Sequence, residues 1–386
     1  MEMLDDPPER ADFREAVRSF VAKEIAPERA RQADRDLEPL LAEYRRVGAN
    51  GWLSVGAPEE LGGGGDFVDV VTMLEELSYG SYPLASQVGR TVAYAVPVLT
   101  EWGTPEARER YLPGLLAGET ILSLAMTEPD TGSDAAGITT RAEAGPDGFR
   151  VTGEKIYSSG GMFADVFLVT VRTVPGTTDK EGVSVLLVDA DTPGVTRSVI
   201  PAMGMRSNAF AAVRFDDVVV PADRLLGTLH DGWPVLTGHL ERERINIAAK
   251  CLGAMRNVLD IAARYSTERV QFGRTLAKMP VIRHKFADMA MDLYTARLAT
   301  YRAAGLYARG LPCRAEAFMC KVHTTEAYHR MADHGLQVMG ALGYTTEADM
   351  ERHFRDSRSG RIGGGTSEIL RTSIGAMVAA GAWNGG

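Results

Sequence analysis

The chain has 386 residues, 45% hydrophobic and 24% charged, which is the balance of a globular protein with a sizeable core and excludes a disordered chain. Its formal net charge is −9 and no Lys/Arg run stands out, which argues against nucleic acid or an anionic membrane surface as partner. This length sets an expectation of two or three domains.

Residues 1–10 are acidic and lack an apolar run, so they are read as neither a secretory signal nor an Arg-rich transit peptide. From about Arg10 to Glu119 the pattern is helical. Phe13, Val17, Phe20 and Val21 recur at helical spacing, as do Leu40, Leu41, Tyr44 and Val47. The glycine run at 62–65 has neither the leading strand nor the following Lys-Ser/Thr of a phosphate loop. Between Ile121 and Gly227 short β-rich runs take over, at residues 149–152, 166–171, 183–188, 195–200 and 212–215. Turn sequences such as Gly145-Pro146-Asp147-Gly148 separate them. No long helices alternate with these strands, so a compact antiparallel β-domain is predicted, not a parallel nucleotide-binding sheet. Long helices return at 240–266, 280–305, 316–339 and 367–380, which predicts an antiparallel four-helix bundle. The fold class is therefore α+β, mostly α, with domains at 1–120, 121–229 and 230–386.

No stretch of about 18 apolar residues occurs, so no membrane-spanning helix is expected. Cys251, Cys313 and Cys320 are too few and too far apart for a disulfide framework. A reducing, cytoplasmic setting is the expectation. Cys320, His323 and His329 lack a fourth ligand at a fitting spacing, and no metal site is predicted.

Five segments carry candidate chemistry. In the first, residues 124–134, Leu124, Met126 and Thr127 lead into a loop with Gly132 and Ser133. Its free N–H groups suit phosphate or carbonyl oxygens, or it is a strand-ending turn. In the second, residues 153–161, Tyr157 can stack beside a flat heterocycle. The hydroxyl of Ser159, two residues on, is expected on the same strand face, with Ser158 between them. In the third, Arg269 can reach a phosphate and Phe272 can cover a ring, with Gln271 between; the alternative is a helix end with a glycine stop. The fourth, Gln337 to Tyr344 with Gly340 and Ala341, reads as a helix end. In the fifth, Gly363, Gly364 and Gly365 allow close approach to a flat ligand ahead of Thr366 and Glu368, or form a linker capped by Thr366.

One carboxylate stands apart. At 100° per residue, Leu240, Ile247, Cys251, Ala254, Val258 and Tyr265 form an apolar stripe, and Glu243 sits on its margin. Glu241 and Arg242 fall further round. A carboxylate in that position is either functional or part of a rim ion pair, with Arg244 or Arg264 as partner.

Over about residues 8–378 these segments, in this order, resemble the acyl-CoA dehydrogenase family. The resemblance implies FAD and removal of hydrogen across the Cα–Cβ bond of an acyl thioester. It places Leu124, Met126 and Thr127 against the flavin, and Gly132 and Ser133 at the pyrophosphate and the acyl-pantetheine arm. Tyr157, Ser158 and Ser159 would border the flavin ring. Arg269, Gln271, Phe272, Gln337, Gly340 and Ala341 would meet the FAD of a neighbouring subunit, and Thr366 and Glu368 would complete the cofactor contacts. Tyr157 replaces a commoner tryptophan, Pro280 a frequent glutamine and Ala341 a glycine. Gly364 stands where many members carry the catalytic glutamate. A subset that includes isovaleryl- and long-chain-type members places the base on the preceding long helix, in a Glu-Arg pair. Glu243-Arg244 with a vacant Gly364 is similar to that subset. Glu243 is then expected to take the α-proton while flavin N5 takes the β-hydride, with Arg244 and Gly364 at the substrate. The family also implies a homotetramer, acyl-CoA or an acyl carrier protein as substrate, and an electron-transfer flavoprotein as acceptor. An oxidase or flavin monooxygenase on the same fold, and a non-catalytic partner subunit, are the rival expectations.

Overall fold

The computed structural model describes residues 6–383, so the acidic start at residues 1–5 lies outside the described residues. The amino-terminal part is helical: α1 Pro8–Glu24, α2 Pro27–Asp36, α3 Leu41–Ala49, α4 Phe67–Gly80, α5 Tyr82–Arg90, α6 Val96–Trp102 and α7 Pro105–Ala117. Prolines open α1, α2 and α7, where the missing N–H costs nothing. A reciprocal capping box of Asp66 and Asp69 starts α4.

Helix α5 runs into α6 through a wider turn at Thr91–Ala95, where the Val96 N–H reaches back to the Thr91 carbonyl. Pro97 has no N–H to return and its ring crowds the preceding turn, so a regular ladder could not pass through this stretch.

The middle of the chain forms one sheet from β1 Leu122–Ala125, β2 Arg141–Gly145, β3 Gly148–Ser158, β4 Val166–Arg172, β5 Val183–Asp189, β6 Val195–Val199, β7 Ala211–Val220 and β8 Leu225–Leu226. The order is β6-β7-β3-β2-β4-β5-β8, with β1 beside β4. The sheet is mixed, not purely antiparallel as the sequence suggested. β1 pairs with β4 in parallel, Leu122 opposite Val166, and β2 meets β4 in parallel at Arg141 and Arg172. The β2–β3 hairpin lies within the connection from β1 to β4, so the chain returns to the sheet in its original direction. β4 is buried along its whole length, with side chains on both faces covered.

The carboxyl-terminal part holds α8 Trp233–Thr237, α9 Leu240–Glu268, α10 Pro280–Ala308, α11 Arg314–Met339, α12 Met350–Ser357 and α13 Ser367–Ala379. These helices share a core with the amino-terminal ones: Val70, Leu74 and Val88 pack in one cluster with Ile245, Ala248, Phe318 and Leu370. Two glycines set the spacing. A Cβ on Gly253 would lie 1.8 Å from the Glu75 carbonyl oxygen, and one on Gly89 would lie 2.3 Å from Asn246 Oδ1. The close approach of α5 to α9 brings the end of α5 near the start of α9. A buried ion network adds to the packing: Glu75 and Glu76 on α4 receive Arg14 and Arg18 from α1, Arg256 from α9 and Arg297 from α10. No helix among the described residues is long and apolar enough to cross a membrane.

Candidate active site

Glu243 lies in the first turn of α9, its N–H bonded to the His239 carbonyl at 2.9 Å. It keeps partial exposure, yet burial pushes its carboxyl above the ordinary value. Dense protein around a side chain that is still reachable describes the floor of a cleft. Lys250, Arg244, Lys321 and Arg90 pull its proton affinity down without cancelling the effect of burial. Among the described residues Glu243 makes no ion pair, with Arg244, Arg264 or any other cation. Arg242, expected further round towards solvent, is buried instead. Its Nη2 donates to the Val92 carbonyl in the wide turn at 2.8 Å, and its guanidinium lies over the Phe67 ring. The α5–α6 segment covers that face of α9, which periodicity within α9 alone does not reveal.

The neighbours of Glu243 hold the loop before α13. Arg244 stacks over Phe318 and donates Nε–H to the Gly364 carbonyl at 3.2 Å, and Lys321 Nζ donates to the Gly365 carbonyl at 2.6 Å. Gly364 has φ +66°. A Cβ there would lie 2.5 Å from Ile247 Cδ1, so the side chain one turn beyond Glu243 fills the space beside it. Thr366 caps α13 through the Ile369 N–H, and Glu368 is exposed in its first turn. The start of α9, with Glu243 and Arg244, and the glycine loop at 364–365 that leads into Thr366 and Glu368 are thus neighbours in space across more than a hundred residues of chain.

A second wall is formed by the end of β1 and the end of β3. The Ile156 N–H donates to the Thr127 carbonyl at 2.9 Å, and Ser123 Oγ donates to the Ser159 carbonyl at 2.9 Å. The loop after β1 is held from beneath by Glu128, which accepts from Thr139, Thr140 and the fully buried Lys155. Lys155 Nζ also reaches the Met126 carbonyl at 3.1 Å. Burial opposes ionisation of Glu128, but Lys155 and the two backbone N–H groups outweigh it and hold the carboxyl down at about 2. Leu124, Met126 and Thr127 are partly open, and Gly132 and Ser133 are exposed on the loop beyond.

Tyr157 does not follow simple strand alternation. The register with β7 shifts between Lys155 and Ser158, and Tyr157 takes φ +59°. β3 ends at Ser158, so Ser159 lies past the strand and the expected shared strand face does not exist. The bulge turns the Tyr157 ring outward, 58% exposed. Ser158 Oγ is buried without a partner.

The two walls meet at Arg90. A Cβ on Gly160 would lie 2.8 Å from Arg90 Nη1, and Arg90 and Glu243 feel each other's charge. Arg90, Lys250, Glu128 and Lys155 were not singled out from the sequence. Arg90 had a signal: between Tyr82 and Thr100 it is the one charged residue.

The remaining sequence candidates lie apart. The chain leaves α9 at Glu268 and turns back in a short hairpin, Val270–Gln271 with Arg274–Thr275, instead of ending in a glycine-stopped helix. Phe272 and Gly273 both have positive φ at its tip, as a two-residue hairpin turn requires. Phe272 is 94% exposed, and Arg269 and Gln271 are exposed beside it. Gln337, Gly340 and Ala341 are exposed at the end of α11. No hydrogen bond among the described residues ties either group to Glu243 or to the β1–β3 wall. Cys320, His323 and His329 bond separately, to the Ala317 carbonyl, Thr295 and Ser357.

Three family models match the chain: acyl-CoA dehydrogenase N-terminal domain over residues 7–119, middle domain over 123–218 and C-terminal domain over 230–379. The chain belongs to the acyl-CoA dehydrogenase family. A probable acyl-CoA dehydrogenase of Bacillus subtilis, YngJ, is 34% identical over 95% of this chain and 97% of its own length. The human mitochondrial short-chain specific acyl-CoA dehydrogenase is 35% identical over 93% of this chain and 87% of its own. Among solved structures, the butyryl-CoA dehydrogenase of Megasphaera elsdenii has a TM-score of 0.92 at 28% identity, covering 97% of this chain and 99% of that one. The prolyl acyl carrier protein oxidase AnaB has a TM-score of 0.91, also at 28% identity, covering 97% and 100%. Acyl-CoA dehydrogenases are flavoproteins, and the helix–sheet–helix order seen here is the fold of that family.

Proposed function

We propose that this chain is an FAD-dependent acyl-CoA dehydrogenase in which Glu243 removes the α-proton of an acyl thioester. The observation that carries the reading is Glu243 itself, a carboxylate on a cleft floor with no ion pair and a raised proton affinity. A base held out of bulk water with a raised proton affinity is what abstraction of a weakly acidic C–H needs.

The residues present fit a flavin. Tyr157 offers an open ring face beside the unpartnered Ser158 hydroxyl, and the loop after Met126 carries exposed backbone donors. Tyr157, Ser158, Ser159, Met126 and Thr127 would hold the ring, with Leu124 behind it. Gly132 and Ser133 would meet the pyrophosphate and the pantetheine arm. When bound, FAD supplies the hydride acceptor for the β-carbon. Glu243 holds the departing α-proton, and Arg244 ties the glycine loop to the site so that the floor stays closed. Ile247 against Gly364 leaves no space for a side chain at position 364.

The exposed Phe272 at a hairpin tip fits contact with a second copy, which makes Arg269, Gln271, Phe272, Gln337, Gly340 and Ala341 candidates for FAD contacts across a homo-oligomer, read as a tetramer, with Thr366 and Glu368 as further cofactor contacts. An electron-transfer flavoprotein is the proposed acceptor. The likeness to a carrier-protein oxidase supports a second arm, an acyl group on a carrier protein.

Anaerobic titration of the flavoprotein with acyl-CoAs and an acyl carrier protein tests the reading by bleaching of the flavin. Glu243→Gln is expected to keep FAD and lose bleaching by at least a thousandfold in rate. Bleaching at the wild-type rate in that variant refutes the assignment.

A further inference from the structure

Two cations of the cleft have no counter-ion. Arg90 ends α5 and is 9% exposed; Lys250, on α9, is 7% exposed. Lys250 follows Glu243 by seven residues, hence on nearly the same face of α9 and about 10 Å further along it. Among the described residues neither cation is ion-paired. Arg90 donates one hydrogen bond, from Nη1 to Gln87 Oε1 at 2.8 Å, and Lys250 Nζ makes none, standing 6.0 Å from the centre of the Tyr82 ring. Tyr94 Oη, one turn past Arg90, is also buried without a partner.

The other cations around Glu243 are accounted for. Arg244 and Lys321 donate to the Gly364 and Gly365 carbonyls and so hold the loop. Arg90 and Lys250 hold nothing comparable. A guanidinium and an ammonium withdrawn from water without an anion are costly, and such groups persist where a ligand meets them. Glu243 is one carboxylate for four cations, and it forms a contact pair with none of them.

The direction of the site identifies the ligand. If the α-carbon sits at Glu243, the large CoA or carrier handle must run out to solvent. The acyl tail must then run inward. Lys250 marks the inward side: it lies about 10 Å further along α9 than Glu243, buried beside the Tyr82 ring.

We propose that the acyl pocket recognises an anion: the substrate's acyl group carries a carboxylate at its far end, received by Arg90 and Lys250 with Tyr94 Oη as a further donor. A planar carboxylate suits the forked donors of an arginine. This rests on the reading that Glu243 faces the acyl α-carbon.

The test uses the FAD-loaded enzyme with matched pairs of acyl-CoAs, monocarboxylic and dicarboxylic, of four to eight carbons. The wild type is expected to prefer the dicarboxylic member at one or more lengths by at least tenfold in kcat/KM. Lys250→Met and Arg90→Met are each expected to lower that ratio at least tenfold, and to weaken by a similar factor the binding of a dicarboxylic thioether analogue that cannot be oxidised. A wild type that bleaches with neutral acyl-CoAs and prefers them at every length overturns the anion pocket while leaving the dehydrogenase reading intact. Variants that lower both classes equally overturn it too, because the cations would then serve the thioester or the flavin. Bleaching with neither class overturns the dehydrogenase reading itself. Should a variant fail to fold, the wild-type panel alone decides.

Discussion

Gly364→Ala gives a sharp test of how the site is packed. The glycine sits at φ +66°, and a residue with a Cβ in that left-handed region costs roughly 1–2 kcal/mol. The new methyl would also lie 2.5 Å from Ile247 Cδ1, well inside van der Waals contact, and overpacking of that kind costs about 1–3 kcal/mol. Together the variant should lose about 2–5 kcal/mol. Ile247→Val removes the single atom that is struck, at a cost of its own of about 0.5–1.5 kcal/mol. The double variant should therefore be more stable than the sum of the singles by about 1–3 kcal/mol, because the backbone term remains and the collision is gone. Urea unfolding of the four proteins at one protein concentration, followed by far-UV circular dichroism, measures the coupling. Additivity within about 0.5 kcal/mol would refute the claim that Ile247 fills the space beside position 364.

Two further variants probe the supports of the site. Glu76 has its carboxyl held down at about 2: burial opposes this, and Arg256, Arg18 and Arg14 outweigh burial. Against an ordinary carboxylate near 4.3 that is about 3 kcal/mol, present above pH 4.3 and lost as pH falls towards 2. Glu76→Gln should therefore cost about 3–5 kcal/mol at pH 7 by leaving buried arginines unmatched, and the gap to wild type should shrink on acidification; a gap that widens below pH 4 contradicts the network. Glu128→Gln should weaken FAD binding at least tenfold by loosening the loop after β1 and leaving Lys155 without its anion, and flavin titration reads this directly. Unchanged affinity would mean that the loop is held by its backbone alone.

Much of the arrangement could be read from the sequence because it depends on local rules. The long helices and short strands follow from apolar periodicity and turn residues, and their ends moved by only a few positions. β3 and β7 are the exceptions, running over Gly148–Ser158 and Ala211–Val220 where only 149–152 and 212–215 looked β-rich, because they pair with each other along their length through a bulge that no local pattern encodes. The same bulge removed Ser159 from the strand face assigned to it. The Phe272-Gly273 turn was hidden for a related reason: a glycine after a long helix fits a helix stop and a hairpin tip equally well, and only the pairing of Gln271 with Arg274 decides. Glu128 and Lys155 lay inside motifs read for their small and aromatic residues. Their pairing across 27 residues depends on how two strands abut, which spacing does not report.

Position 243 and position 364 illustrate how one substitution constrains another through space. A glycine at 364 is favoured by its φ of +66° and by Ile247, which fills the space beside it from the helix that also carries Glu243. A base on α9 is set by the 29-residue helix whose inner face is packed against α4, α5 and α11, whereas a base on the loop would move with three consecutive glycines. The cations divide accordingly. Arg244 and Lys321 clamp the glycine loop, and their hydrogen bonds to backbone carbonyls take up their charge only in part. The field at the cleft floor is therefore positive on balance, with burial raising the proton affinity of Glu243 against it. An acyl group that brings its own negative charge to Arg90 and Lys250 would cancel part of that field and raise the basicity of Glu243 as it binds. A neutral acyl group would leave the base weaker. Selectivity and proton affinity are then set by the same pair of side chains, and a substrate's far end would influence the chemistry at its α-carbon without touching it.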